Sequence, residues 1–172
     1  LQSCDMEALI SEVLNDSLPH AMDKGLDLGY DGVDTADKRR FIKIQGNPTL
    51  LKEMIRNLVD NAIHYTHSTE ERMGVITVRL LVDPYSQALA VQVEDNGPGI
   101  AAAERERIFE PFYRALGSNV DGSGLGLPIV REIAQRHGAT VSVDVAHPGQ
   151  TPPGACFTIR FARVNNKFKT SV

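Results

Sequence analysis

The run Asn57-Leu58-Val59-Asp60-Asn61-Ala62-Ile63-His64-Tyr65-Thr66 decides how the rest of the chain is read. It continues a pattern that begins at Asn47-Pro48, an N-cap residue followed by proline at the first helical position, where a missing N–H leaves no bond unmade. Leu50, Leu51, Met54, Ile55, Leu58, Val59 and Ala62 recur at helical spacing and form a broad apolar face. At about 100° per residue, Asn57, Asn61 and His64 fall in a narrow stripe beside that face, at the boundary of the core. Amide carbonyls one turn apart offer hard oxygen ligands to Mg²⁺, which keeps several waters and completes its shell with substrate phosphates. The alternative is that these amides only bond backbone or water on a helix flank.

Upstream of this helix, Met6, Leu9, Ile10, Val13, Leu14 and Leu18 repeat at helical spacing, and Pro19 with Gly25 is expected to weaken or end that pattern. His20 is expected at the exposed end of that helix. Residues 26–30 and 41–44 alternate apolar with polar across a Gly/Asp-rich turn, which predicts paired strands at a sheet edge. Downstream, residues 75–82 and 89–94 are β-rich and flank Asp83-Pro84-Tyr85-Ser86, a hairpin signature. Residues 101–108 suit a short helix, and 115–124 are small, polar and aperiodic, the composition of a mobile loop that could act as a lid. Residues 124–137 predict a helix carrying Leu125, Ile129, Val130 and Ile133 inward, closed by Arg136, His137 and a Gly138 suited to the left-handed cap. Two further strands are expected at 140–145 and 156–161, joined by the Pro/Gly-rich turn 147–154. Strands grouped between helices predict an α+β fold with helices layered on one sheet face, spanning 1–163 with a tail at 164–172.

Composition narrows the function. The 172 residues, 42% hydrophobic and 23% charged, suffice for one domain with a sizeable core. A net charge of −4 without a Lys/Arg block argues against nucleic acid as a partner, because backbone binding rests on clustered cations. Apolar runs stay well short of the roughly 20 residues of a membrane helix, and no signal-peptide pattern opens the sequence. Cys4 and Cys156 are far apart, which indicates neither a disulfide framework nor a zinc site and suits a reducing cytoplasm; Cys156 reads as an apolar strand residue. A start at Leu1 rather than Met suggests excision from a longer protein.

Two more stretches carry chemistry. In Asp95-Asn96-Gly97-Pro98-Gly99-Ile100, a carboxylate at a strand end can accept from an amino group such as adenine's, while the glycines make room for a flat ring. An ordinary Asp-Gly turn is the alternative. In Asp121-Gly122-Ser123-Gly124-Leu125-Gly126-Leu127, bare N–H groups lead into a helix and its positive dipole end, an arrangement suited to phosphate, or else a ligand-free hinge. It is not a dinucleotide fingerprint, because Leu127 occupies the third glycine position and no strand precedes it; no P-loop pattern exists.

Taken in order, these residues resemble the ATP-binding domain of sensor histidine kinases, within the wider group that includes gyrase and HSP90. Residues 57–66 resemble that family's asparagine box and 95–100 its first glycine box. Phe109-Glu110-Pro111-Phe112-Tyr113-Arg114 resembles the phenylalanine box, and 122–127 the second glycine box. The resemblance implies a Bergerat-type two-layer α/β sandwich, three main helices on one face of a mixed five-stranded sheet, with ATP between the asparagine-box helix, the glycine loops and a lid. Carried over by position, Asp95 would bind the adenine amino group, and Asn57 and Asn61 would hold Mg²⁺ and phosphates. Tyr65 would lie near the adenine, and Arg114 would reach the terminal phosphate or a partner domain. Gly97, Gly99, Ile100, Gly122, Ser123, Gly124, Leu125, Gly126 and Leu127 would shape the nucleotide loops. Phe109 and Phe112 would pack the root of the lid or serve the core.

Two departures from the family pattern stand out. His64 stands where the family frequently has a lysine as phosphate ligand, which weakens the charge contribution there. Ala155 stands where Ser or Thr is frequent, removing a hydroxyl that a water could replace. The implied function is the catalytic half of a two-component sensor kinase, which binds Mg·ATP and delivers the terminal phosphoryl to a histidine on the separate dimerisation domain. The implied setting is cytoplasmic, within a homodimeric inner-membrane receptor acting on a cognate response regulator, the isolated domain being monomeric. An ATPase or conformational clamp is the alternative; there a Glu replaces Asn57 as the base for water, and an amide cannot take that proton. A nucleotide-binding module without catalysis is a third reading, disfavoured by the intact motifs. None of the five histidines sits in a phosphoacceptor pattern, so the acceptor is expected on an upstream helical hairpin.

Overall fold

A computed structural model of the chain describes residues 1–34, 36–113 and 126–162. The approach to the first helix is extended: Gln2–Asp5 forms β1, and the Asp5 carboxylate then caps α1 (Met6–Asp23) by accepting from the Ala8 N–H at 3.0 Å. α1 runs through Pro19 rather than stopping there. Pro19 and Asn15, whose carbonyl it leaves unpaired, both lie on the exposed side, where water can take the bond, while Ala21 continues the buried face. His20 is exposed in the last turn, as expected.

The pairing expected between residues 26–30 and 41–44 does not form. β2 (Asp27–Asp31) lies parallel to a distant strand, and after the short α2 (Ala36–Arg39), β3 (Lys43–Gly46) pairs antiparallel with β1 in a separate ribbon. The turn-like stretch between the two runs suggested a hairpin, but the backbone groups of β3 are satisfied by a strand at the start of the chain. α3 (Pro48–Tyr65) follows with Asn47 as its N-cap, accepting from the Leu50 N–H at 3.1 Å.

β4 (Val75–Val82) and β5 (Leu89–Asp95) form the expected hairpin, Val82 opposite Leu89. Its turn is organised by Asp83, whose Oδ1 accepts from the N–H groups of Tyr85 and Ser86 and whose Oδ2 accepts from Arg160. The bonds from Ser86, Tyr85 and Arg160 hold this carboxyl down at about 2, against an ordinary 3.8. A depressed carboxyl stabilises the fold above its ordinary value and loses that contribution as pH falls through its folded value. Asp83→Asn should therefore be less stable than the unaltered chain at neutral pH, with the gap closing toward pH 2 in denaturant titrations.

In place of a short helix at 101–108, the chain makes separate 3₁₀ turns at Ala102–Glu104 and Arg107–Phe109. Only Ile108 and Phe109 in this stretch are buried, too few to hold a continuous amphipathic turn. Phe109 packs edge-to-face on Phe157, with ring centroids 6.3 Å apart, whereas Phe112 adopts φ 65° and is 72% exposed, so it does not serve the core. α4 (Gly126–Arg136) points Val130, Ile133 and Ala134 inward and leaves Ile129 38% exposed. Residues 130, 133 and 134 form the buried stripe, the half-buried His137 continues it past the helix, and residue 129 sits on its edge. Gly138, at φ 64°, closes the helix, and Leu125 lies outside the described residues.

β6 (Ala139–Val145) and β7 (Ala155–Phe161) complete a mixed sheet of order β2-β4-β5-β7-β6, in which only the β2–β4 pair is parallel. Its inward rows, including Ile76, Val78 and Leu80, Leu89, Val91 and Val93, and Phe157 and Ile159, are buried together with Leu51, Met54, Ile55, Leu58, Val59 and Ile63 of α3. Burying each such side chain stabilises the fold by about 1.5–3 kcal/mol before entropy is counted. The result is α+β, with α1, α3 and α4 on one face of the five-stranded sheet, as the sequence implies. Cys156 sits half-buried in β7, where burial pushes its thiol pKa up and keeps it protonated.

Candidate functional site

Strand periodicity places the first functional group. Leu89, Val91 and Val93 are alternate, inward residues of β5, and Asp95 is next in that row, so the apolar row under the helices ends in a carboxylate. Asp95 is 5% exposed. Its Oδ1 accepts from the Gly97 N–H at 2.9 Å and the Ala155 N–H at 3.3 Å, while Oδ2 accepts from no described residue. Burial pushes this carboxyl up, and the bonds from Gly97 and Ala155 oppose that shift. Thus one oxygen builds the Asp-Gly turn, and the other has no donor among the described residues.

The loop after Asp95 is held against α3 and the β6–β7 turn. A Cβ at Gly97 would stand 3.0 Å from the Tyr65 carbonyl and 3.1 Å from Asp95 Oδ1, tighter than ordinary contact, so a side chain here would have to push these neighbours back by a few tenths of an ångström. The Gly97 carbonyl accepts from the Gly154 N–H at 3.0 Å. Gly154 has φ 68°, and a Cβ there would fall 2.1 Å from the Asp95 carbonyl oxygen. Gly154→Ala should therefore cost about 3 kcal/mol or more, a left-handed residue plus an overlap that backbone must relieve. Gly138→Ala, equally left-handed at φ 64° with nothing within 4 Å, should cost only about 1–2 kcal/mol. Denaturant midpoints of the two variants check this, and equal losses would contradict it.

Both ends of α3 are fixed. At its start, the His137 ring accepts from the Asn47 N–H through Nε2 at 3.1 Å, which puts the ring proton on Nδ1, where it donates to the Ile133 carbonyl at 2.8 Å. At its end, the Lys24 ammonium donates to the carbonyls of Ile63, His64 and Thr66, groups that the helix leaves unpaired at its negative dipole end. Desolvation lowers the pKa of this lysine.

Between these ends, Asn57, Asn61, His64 and Tyr65 are half-buried at the core boundary. The Asn57 amide donates to the Glu53 carbonyl at 2.9 Å and to Glu53 Oε1 at 3.2 Å, and its Oδ1 accepts from no described residue. That oxygen lies 3.3 Å from where a Cβ at Gly126 would stand, so the start of α4 abuts the asparagine stripe. The His64 and Tyr65 rings meet edge-on, with centroids 6.2 Å apart. Ile100 and Leu127 pack partly buried against the core, and Gly99 takes φ 77°.

The fold thus gathers Asn57, Tyr65, Asp95, Gly97 and Gly126 around the edge where α3, the loop after β5 and the start of α4 meet. Arg114, Gly122, Ser123, Gly124 and Leu125, the expected lid and the tail lie outside the described residues. Among the described residues no cluster of three or more His, Cys, Asp or Glu side chains could hold a metal ion. Sequence reasoning missed Lys24, His137 and Gly154. Gly154 carried a signal, a glycine between Pro153 and a strand; Lys24 and His137 act across the fold and carried none.

Among the described residues no helix is long and apolar enough to cross a membrane. The family model described as "Histidine kinase-, DNA gyrase B-, and HSP90-like ATPase" matches residues 46–165, which takes in each motif assembled above. Sensor protein kinase PmrB of Pseudomonas aeruginosa is 34% identical over 140 residues, 81% of this chain and 27% of that protein. Sensor protein QseC of Salmonella typhi is 45% identical over 104 residues, 60% of this chain and 21% of that protein. The chain thus spans about a quarter of the length of these curated relatives. The solved mycobacterial sensor histidine kinase MprB superposes with a TM-score of 0.78 at 26% identity, covering 93% of this chain and 97% of that one. The four motifs, the helix layer on a mixed sheet and these matches agree, and the chain belongs to the histidine kinase-, DNA gyrase B- and HSP90-like ATPase family.

Proposed function

We propose that the chain binds Mg·ATP and serves as the catalytic domain of a sensor histidine kinase, passing the terminal phosphoryl to a histidine on a separate domain. The observation that carries this reading is Asp95: a buried carboxylate with one oxygen committed to the Gly97 and Ala155 N–H groups and the other left for an amino donor. The exocyclic amine of adenine is such a donor. Guanine would turn a carbonyl toward the same oxygen and leave both acceptors unpaired.

The donor set suits Mg²⁺. Glu53 holds the Asn57 Nδ2, which turns Oδ1 away from it and toward no donor among the described residues, and Asn61 lies one turn further along the same stripe. When bound, the ion would neutralise charge on the phosphates. Asn57 and Asn61 orient those phosphates, Gly126 leaves them room beside Asn57, and Tyr65 and His64 flank the base side. Arg114, the glycines at 122 and 124, Ser123 and Leu125 are assigned by position to the terminal phosphate and its loop, and the functional unit is 1–163. The matching relatives are sensor kinases. By that likeness this chain acts on its own dimerisation domain, in a homodimer on the cytoplasmic side of an inner membrane, upstream of a response regulator. A clamp-type ATPase is less well supported, because position 57 carries an amide where water activation needs a base.

Nucleotide titration of the chain tests the base assignment. ATP and ADP should bind with Mg²⁺, and GTP at least about tenfold more weakly, the cost of acceptors left unpaired in a buried site. Equal affinity for ATP and GTP would contradict the role given to Asp95.

A further inference from the structure

Thr66, the residue after α3, carries the one fully buried side-chain polar atom among the described residues that has no hydrogen-bond partner. The rest of the residue is accounted for. Its N–H donates to the Ala62 carbonyl at 3.0 Å, its own carbonyl accepts from Lys24 at 3.2 Å, and its methyl fills the space beside Gly74. Only Oγ1 is left over. A buried hydroxyl without a partner costs stability, so such an atom marks a place where something else supplies the bond.

Its surroundings are polar on several sides. Thr66 Oγ1, the Tyr65 carbonyl and Asp95 Oδ1 lie 3.5, 3.0 and 3.1 Å from one point, the position a Cβ at residue 97 would occupy. Gly97 keeps that point clear. The orphan hydroxyl therefore stands beside the carboxylate that receives the amino group of the base. Ala155, which contacts the same carboxylate through its N–H, presents only a methyl.

The geometry assigns Thr66 as a specificity-determining residue of the purine site: its hydroxyl gains its partner when a base settles against Asp95, through the base edge or one water trapped between them. This rests on the nucleotide reading above.

Two variants separate the hydroxyl from the shape. Thr66→Val keeps the branched side chain and deletes the unsatisfied group, so the nucleotide-free Tm should hold or rise. Its ATP affinity, by calorimetry, should fall about three- to tenfold, the span of one neutral hydrogen bond. Thr66→Ser keeps the hydroxyl and loses the packed methyl, so Tm should fall while affinity stays within about twofold of the unaltered chain. Opposite movement of stability and affinity in the two variants supports the assignment, and a purely structural role would not produce it. If the unaltered chain binds ATP and Thr66→Val binds it equally well, this inference alone is overturned. No ATP binding by the unaltered chain overturns the nucleotide reading and this inference with it. A valine variant that cannot fold also overturns it, since the hydroxyl would then be satisfied in the free protein.

Discussion

Asp95→Asn should weaken ATP binding by at least about tenfold, the loss of a hydrogen bond to a charged group, while the nucleotide-free fold stays as stable or becomes slightly more so. Asparagine keeps a carbonyl oxygen for the Gly97 and Ala155 N–H groups, so the turn and the β5–β7 end survive. It replaces the free oxygen with an NH₂, which faces the adenine amine donor to donor. Bonds to charged groups contribute about 1.5–3 kcal/mol, or roughly 10- to 150-fold in affinity. Stability moves the other way because burial holds this carboxyl above its ordinary range. A carboxyl raised in the folded state loses stability as pH rises through the raised value, and a neutral amide escapes that loss. Asp95→Ala is the harsher change, leaving buried N–H groups unpaired, and would confuse folding with binding. An Asp95→Asn affinity within twofold of the unaltered chain would remove the pocket assignment.

The parts legible in the sequence were those set by local rules. Asn47-Pro48 announced α3, the β-rich runs 75–82 and 89–94 announced the hairpin, and Asp83 with its turn neighbours closed it. The motifs were legible because their chemistry is local too: an amide stripe on one helix, a carboxylate ending a strand, glycines before a helix. Long-range choices were not. Nothing near residues 43–46 says that they pair with residues 2–5 rather than with 27–31. Pro19 reads as a stop, and only its exposed setting lets α1 continue. Ile129 fits a helical stripe on paper, but α4 lays Val130, Ile133 and Ala134 on the sheet and leaves 129 at the margin. Phe112, a natural core aromatic by type, sits exposed at positive φ. The supports of the site, Lys24 on the last carbonyls of α3 and His137 on its first N–H, join residues 39 and 90 positions apart, a distance no local pattern spans.

With the proposed function, the chain carries a nucleotide site and charge-stabilising groups, but neither a histidine in a phosphoacceptor pattern nor, at Asn57, a carboxylate to activate water. Alone it should be nearly inert, and its chemistry should appear only when a histidine is brought to the terminal phosphate. The oxygen of Asn61, one turn from Asn57 on the same stripe, is assigned to the cation that offsets phosphate charge. Removing it should cut transfer by about 100-fold or more, the scale seen when a group stabilising developing charge is lost. The decisive measurement is transfer of label from γ-labelled ATP to the matching histidine-bearing hairpin, with the unaltered chain and with Asn61→Ala. The expected result is acid-labile, base-stable phosphohistidine on the hairpin, none on the chain itself, and near-complete loss in Asn61→Ala. Steady ATP hydrolysis by the chain alone, abolished by changing Asn57 and unaccompanied by label on the hairpin, would contradict it.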